Sequence, residues 1–255
     1  MGGALFSRAT RQLSLTPEGE AFLPVAVRLL HDWSEAFEDL GERFSKQRGK
    51  VTVAALPTLA AGLLPGIIAT FHARYPRINL SLHDVLAEQV SQLVREGRAD
   101  LGLSVAPHDT EELAFEPVLV DRYVAVCPSG HPLLEQESVA WKQLAGHPFI
   151  GISRLSSSRQ DIDRIMAEVG APLSILCDAS QIATVGRMVA AGLGISVLPQ
   201  LSFRQIATDG IAYRPLTAPD VERPLGIVIR HRHPLSASAS ALRAMIQEST
   251  LDPGG

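Results

Sequence analysis

Small hydroxyl residues recur at points where an apolar, strand-like run gives way to a helical one. Thr58, followed by Leu59, comes after the run 51–56, and Ser104, followed by Val105, ends the run 101–105. Ser153 and Arg154, with Ser156, Ser157 and Ser158, follow the run 149–152, and Ser180 and Gln181 precede the helical stretch 182–191. A helix that begins after a strand presents free backbone N–H groups, and a hydroxyl beside them completes a pocket for an anion. Each hydroxyl taken singly is equally explained as the cap of its own helix. Their recurrence at equivalent points in two halves of the chain favours a shared cleft, with Arg154 as a source of positive charge for an acidic ligand. The expected ligand is a small anion or carboxylate.

Other residues that could do chemistry lack the partners that chemistry needs. His231 and His233 flank Arg232 and would share one side of an extended strand, but no Cys, Asp or Glu stands beside them to complete a metal site. His131 and His147 each precede a proline and read as positional. Gly192-Leu193-Gly194 follows a helical stretch and therefore stops it, and does not cradle a phosphate. Neither a Gly-x-Ser-x-Gly elbow nor a His-Glu-x-x-His pair occurs, so no nucleophile, base or metal can be named for an enzyme, and no cofactor is expected. Cys127 and Cys177 lie inside apolar runs and read as buried strand thiols, not as a disulfide framework or a redox pair.

A different chemistry opens the chain. Residues 5–16 form an alternating, hairpin-like segment with no acidic side chain, and Arg8 and Arg11 in it suit contact with phosphates of DNA. Nothing ahead of Leu5 is long enough to be a helix that reads bases, so the chain is expected to begin in mid-domain and to hold DNA weakly by itself. The net charge of −4 rules out a wholly basic nucleic-acid coat, so DNA contact must come from a local patch. With 255 residues, 46% hydrophobic and 20% charged, the chain can fill one large or two ordinary cores. It shows no secretory leader and no apolar run of bilayer-spanning length, and a soluble, cytoplasmic protein without membrane contact is expected.

The elements that must position these residues follow from periodicity. Thr16-Pro17-Glu18 supplies a hydroxyl cap, a first-turn proline and an acid, which start a helix. From there Phe22, Ala26, Leu30, Trp33, Phe37, Leu40 and Phe44 alternate four and three residues apart, the spacing of a coiled-coil seam; a helix packed on its own domain is the alternative. Pro24 falls in the first turns, where it can kink the helix without ending it. After a linker at 47–50, strands at 51–56, 79–83 and 101–105 alternate with helices at 62–75 and 87–96. The order repeats with strands at 149–152, 174–177 and 195–198 and helices at 159–169 and 182–191. This spacing fits parallel crossovers and gives two similar α/β lobes. The runs 118–120, 123–127 and 225–229 are expected to cross between lobes, and a terminal helix at 238–248 to return Leu242, Met245 and Ile246 to the first lobe.

Several segments together carry a family likeness. Leu5-Phe6-Ser7-Arg8, residues 15–20, Leu64-Pro65 with Phe71 and Tyr75-Pro76, residues 97–103, His131-Pro132-Leu133 and the run 189–199 resemble the LysR-type transcriptional regulators, in that order and along nearly the whole chain. The resemblance implies a two-lobed, periplasmic-binding-protein-like (type II) α/β effector domain, preceded by a winged-helix remnant and a long linker helix. It implies a winged-helix remnant over 1–16, a dimerising linker helix over 17–48, lobe I over 49–122, lobe II over 123–226 and a return to lobe I over 227–255. It further implies promoter DNA, a small-molecule effector and RNA polymerase as partners, and a homodimer or homotetramer. On matching positions Arg8 and Arg11 would lie in the wing, and Thr58, Ser104, Ser153, Arg154 and Ser180 would line or border the effector cleft. Where family members often carry Ser or Thr, this chain has Leu86 before Ala87, which points to a partly apolar effector. A stand-alone solute-binding protein of the same architecture is the rival reading; it gives the basic hairpin and the seam no role.

Overall fold

The computed structural model describes residues 4–9, 12–44, 49–108, 110–206 and 209–251, and within them the side chains outside 7–13, 34–44 and 251. A short antiparallel hairpin, β1 (Phe6–Ala9) and β2 (Gln12–Leu15), leads into the long helix α1 (Pro17–Phe44). Thr16 caps that helix as expected, its Oγ1 accepting from the Gly19 N–H at 3.0 Å. Gly19 holds the hairpin against the helix, because a Cβ there would meet the Leu5 carbonyl oxygen at 2.1 Å.

In lobe I, β3 (Gly49–Ala55) runs parallel to both β4 (Ile78–Asp84) and β5 (Leu101–Ser104). The crossovers are α2 (Pro57–Gly62) with α3 (Leu64–Arg74), then α4 (Ala87–Arg95). The helix expected over 62–75 is α3, and the short helix α2 ahead of it is an addition. Pro57 starts α2 one residue after an extended Leu56, and Pro65 opens the second helix after the break at Leu63. α4 stops at Gly97, whose φ of +69° lets the Gly97 and Arg98 N–H groups bond back to Val94 and Leu93. Leu59, Leu64, Phe71, Leu101 and Leu103 fill the core between the sheet and these helices. The last helix, α7 (Ala237–Leu251), brings Leu242 and Ile246 into the same core and is pinned by Arg243 to Glu116 at 2.9 Å.

The lobes are joined by β6 (Leu113–Pro128) and β12 (Glu222–Arg230). β6 is one strand where two runs, 118–120 and 123–127, are expected. The intervening Arg122 stays in the ladder because it ion-pairs with Asp220 at 2.7 Å and Glu222 at 2.8 Å on the exposed side. From Leu113 to Arg122 it pairs with β12; from Tyr123 to Pro128 it pairs with β10 (Ser196–Pro199) and β11 (Ile211–Thr217). Pairing of β12 with the first part of β6 begins at Glu222, a few residues ahead of the expected return at 227. Among the described residues this curled sheet has the order β4-β3-β5-β12-β6-β11-β7, with β7 (Val139–Ala140) at its edge and β10 beside β6.

Lobe II adds a parallel pair, β8 (Pro148–Ile152) and β9 (Ser174–Ala179), with α5 (Ser157–Glu168) and α6 (Ile182–Ala190) as its crossover helices. Trp141, Phe149, Ile162 and Ile165 form one core beneath α5, and Ile150, Val185, Val189 and Leu198 another beneath α6. Cys127 is buried as expected, but Cys177 is only half-buried, because β9 is paired on one side and alternates between exposed and sheltered positions. The stretch 231–233 is not an extended strand. β12 ends at Arg230, and Arg232 turns the chain with a φ of +55°.

α1 docks on lobe I through polar residues. His31 Nε2 lies 3.2 Å from Asp100 Oδ1, and Asp32 Oδ1 lies 3.6 Å from His233 Nε2 and 3.8 Å from Arg230 Nη1. A carboxylate thus does join one of the paired imidazoles, brought from a helix far away in sequence. No group of three His, Cys, Asp or Glu side chains that could hold a metal occurs among the described residues. Phe22, Leu30 and Trp33 of the expected seam are exposed on the single chain, the last two at 66% and 65%. Phe37, Leu40 and Phe44 belong to α1, but their side chains lie outside those described.

Candidate ligand-binding site

Three concavities stand out. One of about 590 Å³ lies between α1 and lobe I and is lined by charged residues, Arg28, Asp32, Arg95, Glu111, Glu112 and Arg230 among them. A second, of about 690 Å³, is a groove on lobe II beside Tyr213 and Arg214. The third, of about 290 Å³, lies between the lobes and draws residues from both. Leu56, Pro57, Thr58, Ala61, Asp84 and Leu86 line it from lobe I; Ile152, Ser156, Ser157, Ser158, Ser180, Gln181, Ile182, Ala183 and Gln205 line it from lobe II; Arg223 of β12 closes it. The N-terminal ends of α4, α5 and α6 all meet at this cavity, where their free N–H groups carry partial positive charge.

Of the residues expected from sequence, Thr58, Leu86, Ser156, Ser180 and Gln181 line the cavity. Thr58 is 4% exposed and its hydroxyl finds no hydrogen-bond partner among the described residues. Ser156 serves first as the cap of α5, its Oγ accepting from the Arg159 N–H at 3.1 Å. Leu86 occupies the cap position of α4, where the Gln89 side chain accepts its N–H at 3.3 Å.

Five expected residues do not line it. Leu59 points into the lobe I core. Val105 packs against that same core, one residue past the end of β5. Ser104 is fully buried at the end of β5, its Oγ also without a partner among the described residues. Ser153 turns its Oγ onto the Leu155 N–H at 3.3 Å, and that turn leaves Arg154 exposed on the outer surface. Arg154 is not among the residues that line the cavity. Arg8 sits in β1 opposite Leu13, its side chain outside those described, and Arg11 lies outside the described residues.

The arginine that does line the cavity is Arg223, which sequence reading did not single out. It is the register partner of Asp121 where β6 and β12 cross between lobes, and both side chains are almost fully buried. The pair is loose. Arg223 Nη1 stands 3.9 Å from Asp121 Oδ2, beyond hydrogen-bond distance, and its Nη2 donates to Ser157 Oγ at 3.3 Å. Arg223 Nε and Nη1 have no hydrogen-bond partner among the described residues. Asp121 Oδ1 accepts the N–H groups of Arg122 at 2.9 Å and Leu201 at 3.2 Å. Burial pushes its carboxyl above the ordinary range, against the lowering effects of those N–H groups and of Arg223. A buried guanidinium with open donors at the floor of a cavity is the arrangement in which a carboxylate gains most, because the ligand completes a desolvated charge.

Neighbouring groups fix this floor. Arg159, also buried, bonds to Asp163 at 2.8 Å, to the Ile152 carbonyl at 3.1 Å and to Asp178, tying the start of α5 to β8 and β9. Gln205 Nε2 donates to the Pro57 carbonyl at 2.7 Å and Arg204 to that of Gly62 at 2.9 Å, so lobe II grips α2 of lobe I at the cavity's side.

The comparisons with known proteins agree with this architecture. Residues 45–250 match the LysR substrate binding domain. The chain is 33% identical over 247 residues to the uncharacterized HTH-type transcriptional regulator YfeR of Shigella flexneri, covering 97% of this chain and 80% of that protein. The structure of HinK, a LysR family transcriptional regulator from Pseudomonas aeruginosa, superposes with a TM-score of 0.73 at 26% identity, over 93% of this chain and 81% of that one. The effector binding domain of QuiR, solved in complex with shikimate, superposes with a TM-score of 0.73 at 19% identity, over 81% of this chain and 99% of that one. The family match, the YfeR likeness and the two-lobed body beside a long helix lead to one assignment: the chain belongs to the LysR family of transcriptional regulators.

Proposed function

We propose that the inter-lobe cavity is the effector site of this regulator and that its ligand is a small organic acid with a partly apolar body. The observation that carries the reading is Arg223, which is 4% exposed, lines the cavity and keeps two buried nitrogens unsatisfied among the described residues. The ligand carboxylate would complete Arg223 and take N–H groups at the start of α5, with the Thr58 hydroxyl as a further donor. Its body would lie on Leu56, Leu86, Ile152 and Ile182. A volume of about 290 Å³ sits at the lower end of the range for small-molecule sites and suits a compact ligand. QuiR, whose effector domain shares the fold, is described with a carboxylic acid, shikimate.

Binding at a cleft between lobes acts on transcription only if the ligand prefers one arrangement of the lobes. The regulator would pass that preference through α1 to promoter DNA and RNA polymerase, as a homodimer or homotetramer in the cytoplasm. We assign 1–16 to the winged-helix remnant, 17–48 to the linker and dimerisation segment, 49–122 to lobe I, 123–226 to lobe II and 227–255 to the return to lobe I, with β12 shared at the crossing. The proposed DNA contacts are Arg8 and Arg11, and no catalytic role is assigned to the cleft.

Calorimetry of the full chain against monocarboxylates from acetate to benzoate tests the site. At least one acid is expected to bind saturably, and Arg223→Met to weaken it by about 2–5 kcal/mol, roughly thirtyfold or more. Equal affinity for the wild type and Arg223→Met would overturn the assignment.

A further inference from the structure

The cavity that holds Arg223 also presents a carboxylate, and a simple acid does not suit that pairing. Asp84 is the last residue of β4, two residues before Leu86 at the head of α4, and lines the cavity from lobe I. It has no hydrogen-bond or ion-pair partner among the described residues. Asp84 is exposed at the end of its strand, and the partial burial it has raises its carboxyl above the ordinary range. Arg223, by contrast, reaches the cavity from β12, at the crossing between the lobes. The walls that accompany the two groups are apolar, including Leu56 and Ile182.

A ligand bearing only a carboxylate would satisfy Arg223 and bring a second negative charge into a small cavity with Asp84. Like charges in such a space disfavour each other, and Asp84 would gain nothing from the ligand. A ligand that carries a hydrogen-bond donor as well would satisfy both groups at once. Resting on the assignment of the cleft as the effector site, we propose that the effector is an acid that also bears a hydroxyl or ammonium group, with Arg223 taking the carboxylate and Asp84 selecting the donor. Asp84 is then a specificity-determining residue. Its exposed position at a strand end makes Asp84→Asn compatible with the fold, which a thermal melt checks.

The test uses the full chain and three matched skeletons: propanoate, 4-methylpentanoate and 3-phenylpropanoate, each as the plain acid, the 2-hydroxy acid and the 2-amino acid. By calorimetry, on at least one skeleton a donor-bearing acid is expected to bind about tenfold more tightly than the plain acid, the worth of one hydrogen bond to a charged group. Asp84→Asn is expected to erase that advantage and to bind the plain acid more tightly, because the like charge is removed. Arg223→Met is expected to weaken plain and donor-bearing acids alike. Plain acids binding as well as their counterparts on every skeleton, or a donor preference that survives Asp84→Asn, would overturn the role of Asp84 and leave the cleft assignment standing. Absence of binding by all nine acids, or binding indifferent to Arg223→Met, would instead overturn the cleft assignment and the role of Asp84 with it.

Discussion

At the scale of single residues, the sequence singled out Arg154, which does not line the inter-lobe cavity, and passed over Arg223, which does. Arg154 was visible because it stands beside Ser153 in a polar turn, whereas Arg223 stands between Glu222 and Pro224, just ahead of the apolar run 225–229 that reads only as a strand. Its role comes from register. Lying opposite Asp121 on β6 and under Ser157 of α5 depends on pairing between strands far apart in the chain, which local pattern does not encode. The cysteines show the same limit. Both lie in apolar runs, yet Cys127 is sealed in the centre of the sheet while Cys177 sits in β9 with its Sγ 3.8 Å from Met188 Sδ. Burial pushes the Cys127 thiol up to about 11, the nearby Arg214 charge offsetting it in part. Since the thiolate is the reactive form, iodoacetamide at about pH 8 is expected to leave Cys127 unmodified in the folded protein and to label it once denaturant is added. Mass spectrometry of the tryptic peptides reads this out, and native labelling of Cys127 at the rate of a free thiol would contradict the described core.

Whole elements were more legible than residues, and the exceptions have identifiable causes. Helices α4 and α5 show in the sequence because their apolar faces recur at helical spacing and each ends at a glycine with positive φ, Gly97 and Gly170. β11 went unread because Arg214 and Pro215 interrupt its pattern; the structure accommodates Arg214 by letting it donate to the Gln136 and Leu134 carbonyls at 2.6 and 2.5 Å. α1 carries features of both readings open to it. Its polar residues His31 and Asp32 bind lobe I, while Phe22, Leu30 and Trp33 are exposed. LysR regulators form oligomers, and exposed apolar side chains at four-and-three spacing suit a helix-to-helix contact. The double variant Phe22→Glu/Leu30→Glu is therefore expected to shift the full chain to a smaller assembly in size-exclusion with light scattering, with its thermal melt nearly unchanged. An unaltered mass would place the contact elsewhere than on this seam.

The whole molecule is a pair of lobes hung on two crossing strands, and the proposed ligand site is the cavity where the crossing, the lobes and the helix ends coincide. Lobes on two strands can hinge, but the bonds from Gln205 to Pro57 and Arg204 to Gly62 hold the lobes together on one side of the cavity. A ligand that completes Arg223 at the crossing would act where the strands change partners, between Arg122 and Tyr123, and so bias the angle between lobes. The two-lobed plan followed from the repeated strand and helix order, but the choice among three cavities did not, since the charged groove beside α1 is larger and carries more arginine. A crystal structure of the full chain grown with the tightest-binding acid separates them most directly. The account predicts ligand density between the lobes, with the carboxylate on Arg223 and the ends of α5. Density in the groove between α1 and lobe I, with the inter-lobe cavity holding only solvent, would contradict it.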